Sequence, residues 1–329
     1  MTEKISKIQL TNSYVSTDLA VIIPTKDRPK EIKRLLKSIT ELDCKVGRII
    51  IIASGIDIQN IVMSFINRIP VEYYYGDPGQ IKQRNKGISL LDDSTKLVAT
   101  MDDDVVFHKT SISEMINFWN RVEMKTAGVG FNIVNQVGHQ HSWIRCFFGV
   151  SVLEPGKVMQ SGFNTSISNI KESIRSEWLL GGATVWKQKI LKSNPHHPIN
   201  SSWAVCEDLI FSYPLSKKYH LYVCNYAKVN IEPNYTEITG SECIYRSKTE
   251  FLWSLYFVII NDDLSFAKFI KHKTLQILSL TLKLIFFMDI NKIYTIIGIL
   301  HAVYISLKII KKNSSLKEII ELNTFKTKH

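Results

Sequence analysis

The chain of 329 residues is poor in cysteine, and the few cysteines it has are badly placed for a shared structural role. They are odd in number, lie far apart and include no C-x-x-C pair: Cys44, Cys146, Cys206, Cys224 and Cys243. This pattern suggests neither a disulfide framework nor a zinc site. We therefore expect reduced thiols and a cytoplasmic chain.

Long uninterrupted apolar runs are also absent. Apolar clusters occupy residues 251–260, 275–282, 284–288 and 293–307, with lysines between or beside them. None reaches the ~20 residues that a membrane-spanning helix needs, and no apolar stretch typical of a signal peptide precedes Lys26. We interpret the clusters as interfacial helices on the inner face of the membrane. The alternative is a helical subdomain packed against protein, because periodicity cannot distinguish these two environments.

Acidic residues are in the minority. The 30 Asp and Glu residues against 41 Lys and Arg residues give a formal charge of +11, so the surface attracts nucleic acid, acidic lipid headgroups or phosphorylated substrates. Many lysines flank the apolar clusters after residue 251, which favours a membrane surface. We therefore expect no nucleic acid partner. The sequence also allows a homo-oligomer.

Between residues 19 and 104, short runs typical of buried strands alternate with amphipathic segments. The predicted strands are 19–24, 46–54, 71–75 and 96–101, and the predicted helices begin at Pro29, near Ile58 and after Gly79. This alternation predicts an α/β fold with a doubly wound, mostly parallel sheet. Ligands of such sheets collect at the carboxyl ends of the strands.

Farther along, the patterns are less regular. A helix is predicted over residues 112–122 from apolar residues at helical spacing, among them Ile116 and Val122. Another helix is predicted to start at Glu207 and Asp208, since acidic residues favour helix N-termini. Residues 220–224 and 227–231 are interpreted as a pair of strands, and 135–169 as irregular loop and strand.

Three consecutive aspartates, Asp102, Asp103 and Asp104, follow the fourth predicted strand. Like charges this close repel and raise one another's pKa unless a cation neutralises them. Asp102 and Asp104 are two residues apart and so point to the same side of an extended segment. One could hold Mg²⁺ or Mn²⁺ and the other a ribose hydroxyl or a metal-bound water. In isolation a solvated acidic turn is the simpler interpretation, but the position at a strand end favours a site.

Five segments, in this order and spacing, resemble the family 2 inverting glycosyltransferases: AVIIPTKDR (20–28), QRNKGI (83–88), TMDDDV (100–105), GGATVWKQ (181–188) and CEDL (206–209). The resemblance covers roughly Leu19 to Glu232. It implies a Rossmann-like GT-A fold, here with a C-terminal helical, membrane-associating region. It further implies metal-dependent transfer from a nucleotide-diphosphate sugar to a glycan or lipid-linked acceptor, and we expect this to serve cell-surface polysaccharide synthesis.

The resemblance also implies roles for individual residues. Asp208 would be the catalytic base, with Glu207 as its partner, and Asp104 with Asp102 would bind the metal. The donor would be bound by Pro24, Thr25, Asp27, Arg28, Ser54, Arg84, Asn85, Asp102 and Asp103. Structural alternatives stay open: Arg28 capping its loop, Arg84 pairing with a nearby acid, and the acid pair at 207–208 serving only as a helix start.

The chain departs from the pattern of this family at several positions. The second strand ends Ala53-Ser54-Gly55, where many relatives carry an acidic pair that reads the base. Where some relatives have a metal-binding histidine, this chain reads VNIEPNY, and Glu232 or the diphosphate alone could complete the metal shell. No Q-x-x-R-W segment is present, which argues against a processive polysaccharide synthase. His196 and His197, near the acid pair in sequence, are candidates to touch the acceptor.

Two other functions compete with this one. A sugar-1-phosphate nucleotidylyltransferase would share the nucleotide-binding half, but Pro24-Thr25-Lys26 stands where that class has a glycine-rich loop. A non-catalytic basic adaptor for membrane or nucleic acid is the third reading. The expected organisation is an extension (1–18), a nucleotide-sugar-binding half (19–105), an acceptor-binding half (106–245) and a helical tail (246–329).

Overall fold

The computed structural model describes residues 13–140, 146, 151–197, 199, 201, 205–232, 238–289, 291–311 and 315–324. The chain forms two compact units. The first consists of Met1–His139, Ser166–His197 and Leu215–Pro233, and the second of Gln140–Thr165, Pro198–Pro214 and Asn234–His329.

The first unit opens with the predicted alternation of strands and helices. After a 3-10 turn at Ser16–Asp18, the elements are β1 (Leu19–Lys26), α1 (Pro29–Thr40), β2 (Arg48–Ser54), α2 (Gln59–Met63), β3 (Val71–Tyr75), α3 (Gln80–Ser89) and β4 (Leu97–Met101). These strands are parallel and lie in the order β3-β2-β1-β4. The predicted parallel α/β sheet is therefore confirmed, and the carboxyl ends of all four strands lie at one edge.

The same sheet continues beyond β4. The further elements are β5 (Val105–Phe107), α4 (Ser111–Trp119), β6 (Thr126–Ile133), β7 (Ile174–Ser176), β8 (Ala183–Lys187), α5 (Gln188–Ser193) and β9 (His220–Ile231). Over the described ranges the order runs on as β8-β6-β9-β5, with β7 also paired to β9. β8 is antiparallel to both β4 and β6, so the sheet is mixed.

Burial explains why these segments fold as they do. β1 and β2 are almost entirely buried, as expected for parallel strands covered on both faces. The apolar stripe of α1, predicted from its spacing, is buried as well. α3 lies so close to β1 that a Cβ at Gly87 would come within 2.4 Å of Ile22. Glycine at position 87 thus permits this close packing of helix on strand.

Two predictions about elements are wrong. Residues 220–231 form one strand and not a pair: its pairing with β6 shifts register between Phe131 and Asn132, and Asn132 donates a hydrogen bond to the carbonyl oxygen of Asn225 at 3.2 Å. The residues between the two predicted strands, 225 and 226, lie in a bulge of this single strand. The helix predicted to begin near Ile58 is also short, because α2 spans only Gln59–Met63.

The second unit is helical in its C-terminal part, as predicted. Its helices are α6 (Glu207–Ser216, whose last residues belong to the first unit), α7 (Gly240–Ile259), α8 (Phe266–Phe287), α9 (Asn291–Lys311) and α10 (Leu316–Thr324). α7 supplies much of the interior, with Leu252, Trp253 and Phe257 fully buried. Within the described ranges, no helix combines the length and the apolar character needed to cross a bilayer.

Candidate active site

The acidic turn lies at the carboxyl end of β4, where the chain leaves the sheet. The N–H of Asp102 donates to the carbonyl oxygen of Gly182 at 2.9 Å, which extends the pairing of β4 with β8. A Cβ at Gly182 would lie 2.0 Å from Oδ2 of Asp102. Glycine at 182 therefore leaves the space that the Asp102 carboxylate occupies.

The Asp102 carboxylate is fixed from α3. Its Oδ1 accepts a hydrogen bond from Nε2 of Gln80 at 2.8 Å and another from Nη2 of Arg84 at 2.9 Å. Arg84 is fully buried, whereas the Asp102 side chain is 36% exposed. A charge-assisted bond from a buried guanidinium holds its acceptor firmly, so one of the two predicted metal-binding carboxylates is preorganised. Arg84 therefore pairs with a nearby acid, which is the structural alternative considered for this residue.

Asp103 points into the protein. Its Oδ2 accepts from Oγ1 of Thr25 at 2.7 Å, and its Oδ1 accepts from Nη1 of Arg28 at 2.8 Å. Burial raises the pKa of Asp103, and the bonds from Thr25 and Arg28 oppose that rise. Asp103 therefore joins the loop after β1 to the turn after β4.

Asp104 is the least neutralised of the three aspartates. Burial, and then the neighbouring charges of Asp102 and Asp103, raise its pKa from 3.8 to about 6. Arg28 opposes the rise only partly, since its Nη1 lies 3.4 Å from Oδ2 of Asp104. The Asp104 side chain is still 23% exposed. A cation reaching Asp104 would relieve this repulsion.

The donor set at this edge suits a hard cation but does not enclose one. Within the described part of the chain, no group of three or more His, Cys, Asp or Glu side chains could hold a metal ion. Glu232 lies beside the turn, and its N–H donates to the carbonyl oxygen of Asp104 at 2.9 Å. Its carboxylate, however, forms an ion pair with Arg34 at 3.5 Å.

The loops after β1 and β2 are tied to each other. Asp27, in the left-handed conformation with φ of 58°, accepts a hydrogen bond from the N–H of Ile56 at 2.8 Å. Gly55, with φ of 77°, leaves room for that carboxylate, because a Cβ there would lie 2.0 Å from it. Buried Ser54 ends β2, and its hydroxyl has no hydrogen-bond partner among the residues that the structure describes. Pro24 is buried in β1 opposite Ile52.

Gln83 organises the same edge, although the sequence patterns assigned it no role. Its buried Nε2 donates to the carbonyl oxygens of Thr25 at 2.8 Å and Ile52 at 2.6 Å. Its spacing from Gly87 could have indicated this role, because Gln83 lies one turn earlier, on the face of α3 that packs against β1. Gln83 thus joins the ends of β1 and β2.

Asn85 faces the loop that carries the two histidines. Its Nδ2 donates to the carbonyl oxygen of His196 at 2.8 Å. Burial, then the charges of Arg84 and His197, lower the pKa of His196 to about 3. The His196 ring is therefore neutral at physiological pH, whereas His197 is exposed.

The predicted catalytic acids belong to the second unit. Glu207 and Asp208 form the first turn of α6, and Glu207 is buried. Cys206 precedes them in the left-handed conformation with φ of 62°, which is uncommon for a residue other than glycine. Burial is the main cause that raises the pKa of the Cys206 thiol to about 11, so this cysteine is uncharged.

Comparison with known proteins agrees with this geometry. Residues 20–173 match the model of glycosyl transferase family 2, and a search of curated proteins found no match. The mannosyltransferase PcManGT from Pyrobaculum calidifontis, solved with GDP-Man and Mn²⁺, is similar in structure with a TM-score of 0.55 at 12% identity. That likeness covers 87% of this chain and 87% of PcManGT.

TarS from S. aureus is similar with a TM-score of 0.50 at 17% identity, over 76% of this chain. The match spans only 41% of the TarS chain. At such identities the two structures show a shared fold. Together with the family match, which covers just under half of the chain and contains β1 to β4 and the acidic turn, they identify a glycosyltransferase with the GT-A fold whose residues 20–173 are similar to glycosyl transferase family 2.

Proposed function

We propose that this glycosyltransferase moves a sugar, with inversion, from a nucleotide-diphosphate sugar to an acceptor hydroxyl, and that it uses Mg²⁺ or Mn²⁺. The observation that carries the proposal is the acidic turn. Asp102 is held in place by a buried arginine, and Asp104 has its pKa raised to about 6 by burial and like charges. PcManGT shares this fold and was solved with GDP-Man and Mn²⁺, so these classes of donor and metal are natural candidates here.

The metal would be held by Asp104 and Asp102, and the donor diphosphate would supply further oxygens. This division suits a hard cation, since Mg²⁺ is usually held by one or two carboxylates together with phosphate oxygens. When bound, the cation offsets the negative charge that grows on the departing diphosphate. Arg84 and Gln80 keep Asp102 in place throughout.

The donor would lie over the carboxyl ends of β1, β2 and β4. Ser54 offers a hydroxyl there that has no hydrogen-bond partner among the described residues, and Thr25 and Arg28 position the turn through Asp103. Asp27 orders the loop after β2, and Pro24 and Asn85 complete the donor-binding set. The fixed edge suits a ligand that must bind in one orientation.

We assign Asp208 as the catalytic base. As the acceptor oxygen bonds to the anomeric carbon, its proton passes to the Asp208 carboxylate and the bond to the diphosphate breaks. The single displacement inverts the configuration and needs no covalent intermediate. Glu207, one residue earlier, would orient the acceptor. That acceptor would be a glycan or lipid-linked hydroxyl of cell-surface polysaccharide synthesis at the cytoplasmic face of a membrane.

The test is donor affinity and turnover measured on the same folded variant. Calorimetry with UDP, GDP, dTDP and CDP sugars in the presence of Mn²⁺ first identifies the donor. Asp208→Asn keeps the shape of the side chain but cannot accept a proton, so it should slow transfer by about 10²–10⁴-fold with donor affinity unchanged. Asp262→Asn, the same change at an exposed acid, should alter neither.

Near-normal transfer by Asp208→Asn would exclude it as the base and make Glu207 the next candidate. If the wild-type chain bound no nucleotide with Mn²⁺, the proposal would fail in favour of a non-catalytic adaptor. Release of pyrophosphate from a nucleoside triphosphate and a sugar 1-phosphate would instead identify a nucleotidylyltransferase.

A further inference from the structure

The end of α8 and the residue after it expose four large apolar side chains in succession. Ile285, Phe286, Phe287 and Met288 are 63%, 74%, 76% and 84% exposed. Met288 adopts the left-handed conformation with φ of 51° and ends the helix, so the four residues lie where the chain turns toward α9. We call them the apolar tip. Contiguous exposed apolar surface of this kind marks an interaction site.

The exposed apolar surface continues along both helices. On α8, Leu278 and Leu282 are 54% and 46% exposed and precede the apolar tip at a spacing of three to four residues. On α9, Leu300, Tyr304 and Leu307 are exposed at the same spacing. Side chains at this spacing share one face of a helix, so each helix carries an apolar stripe that its own unit leaves uncovered.

The charge of α8 and α9 indicates which kind of surface these helices would contact. Residues 264–312 contain eight lysines and one acid, Asp289, a formal charge of +7. Lys268, Lys271 and Lys283 of α8 are exposed. Apolar stripes accompanied by lysines are typical of helices that lie in the membrane interface, where lysines reach acidic headgroups while apolar side chains enter the acyl boundary.

We propose that α8, α9 and the apolar tip form a docking surface for an anionic lipid bilayer, into which the apolar tip inserts without spanning it. A second copy of the chain fits less well, since a symmetric contact would bring two segments of charge +7 against each other. A lipid surface of negative charge satisfies both the apolar stripes and the lysines. This inference is independent of glycosyl transfer.

The experiment is flotation of the full chain with vesicles of phosphatidylcholine alone or with one third phosphatidylglycerol. The chain should float with the anionic vesicles, and rising salt should weaken binding because the lysine contribution is screened. Phe286→Ser combined with Phe287→Ser should weaken binding by tenfold or more. Lys283→Gln should weaken it by about fivefold, the effect of one lysine at an acidic surface.

Val137→Ser is the matched control, because Val137 is 72% exposed in the first unit and should leave flotation unchanged. Circular dichroism and donor affinity check that each variant is folded. Absence of flotation at low salt, or equal flotation of the double variant and the wild type, would overturn the proposal. A dimer that ignores vesicles and dissociates in the double variant would assign the surface to a second copy.

Discussion

Replacing Asp104 by asparagine should stabilise the folded chain at pH 8 when no divalent metal is present. The pKa of Asp104 is raised from 3.8 to about 6, mainly by burial and then by Asp102 and Asp103. A carboxyl whose pKa is raised by folding contributes stability below its unfolded pKa, and that contribution is lost as the pH rises through about 6. Above that pH the ionised Asp104 is destabilising, and asparagine cannot ionise.

The size of the effect follows from the same rise. A tenfold change in proton affinity corresponds to about 1.4 kcal/mol, so the change from 3.8 to about 6 corresponds to about 3 kcal/mol for a fully buried group. Water reaches part of the Asp104 carboxyl, so we take roughly half, about 1–2 kcal/mol, to allow for screening. For a domain of about 200 residues, this gain in the free energy of unfolding corresponds to a rise of about 3–6 °C in the unfolding midpoint.

The assay is thermal unfolding in EDTA at pH 8 and at pH 4, with Asp93→Asn as control because the Asp93 side chain is fully exposed. The gain from Asp104→Asn should be present at pH 8 and absent at pH 4. Mn²⁺ with the donor nucleotide should then stabilise the wild type, by about 2.7 kcal/mol at a hundredfold excess over Kd, but not the variant. A less stable variant at pH 8 that still responds to Mn²⁺ would refute the reasoning.

Two further variants test how the edge of the sheet is built. Gly182→Ala should displace the Asp102 carboxylate and abolish Mn²⁺-dependent donor binding, measured by calorimetry. Gly76→Ala is the control and should be neutral, because the added Cβ would lie 4.0 Å from its nearest contact. Equal donor affinities of the two variants would contradict this prediction. Gln83→Leu removes two buried hydrogen bonds at the ends of β1 and β2, so urea unfolding should show a loss of about 1–3 kcal/mol, and an unchanged midpoint would show that the amide is dispensable.

Local sequence patterns are sufficient to predict the parallel half of the sheet. β3 has the predicted bounds, and α1 begins at Pro29 as expected, because Pro fits a first helical position and the apolar stripe is continuous. The position of the acidic turn followed from the same logic, since parallel strands place their carboxyl ends at one edge. These features depend on residues close together in sequence.

The remaining features of the fold and the site depend on contacts between residues that are far apart in the sequence. β9 looked like two strands because Asn225 interrupts its apolar pattern, yet Asn132 and Ser173 bond the main chain of Asn225. The sequence predicts that Arg84 faces the donor, and its burial against Asp102 follows from how α3 packs on the sheet. Its donor contact stays a prediction, as do the assigned roles of the other site residues. No local pattern specifies contacts between residues so widely separated.

The link between Asp27 and the loop after β2 has a consequence for engineering. The Asp27 carboxylate occupies the space that a side chain at position 55 would need, and it accepts the N–H of Ile56. Residues 24–28 and 53–56 are therefore one interlocked module. A graft that replaces either loop would have to transplant both segments together, because either one alone would bring a carboxylate without its glycine or a glycine without its carboxylate.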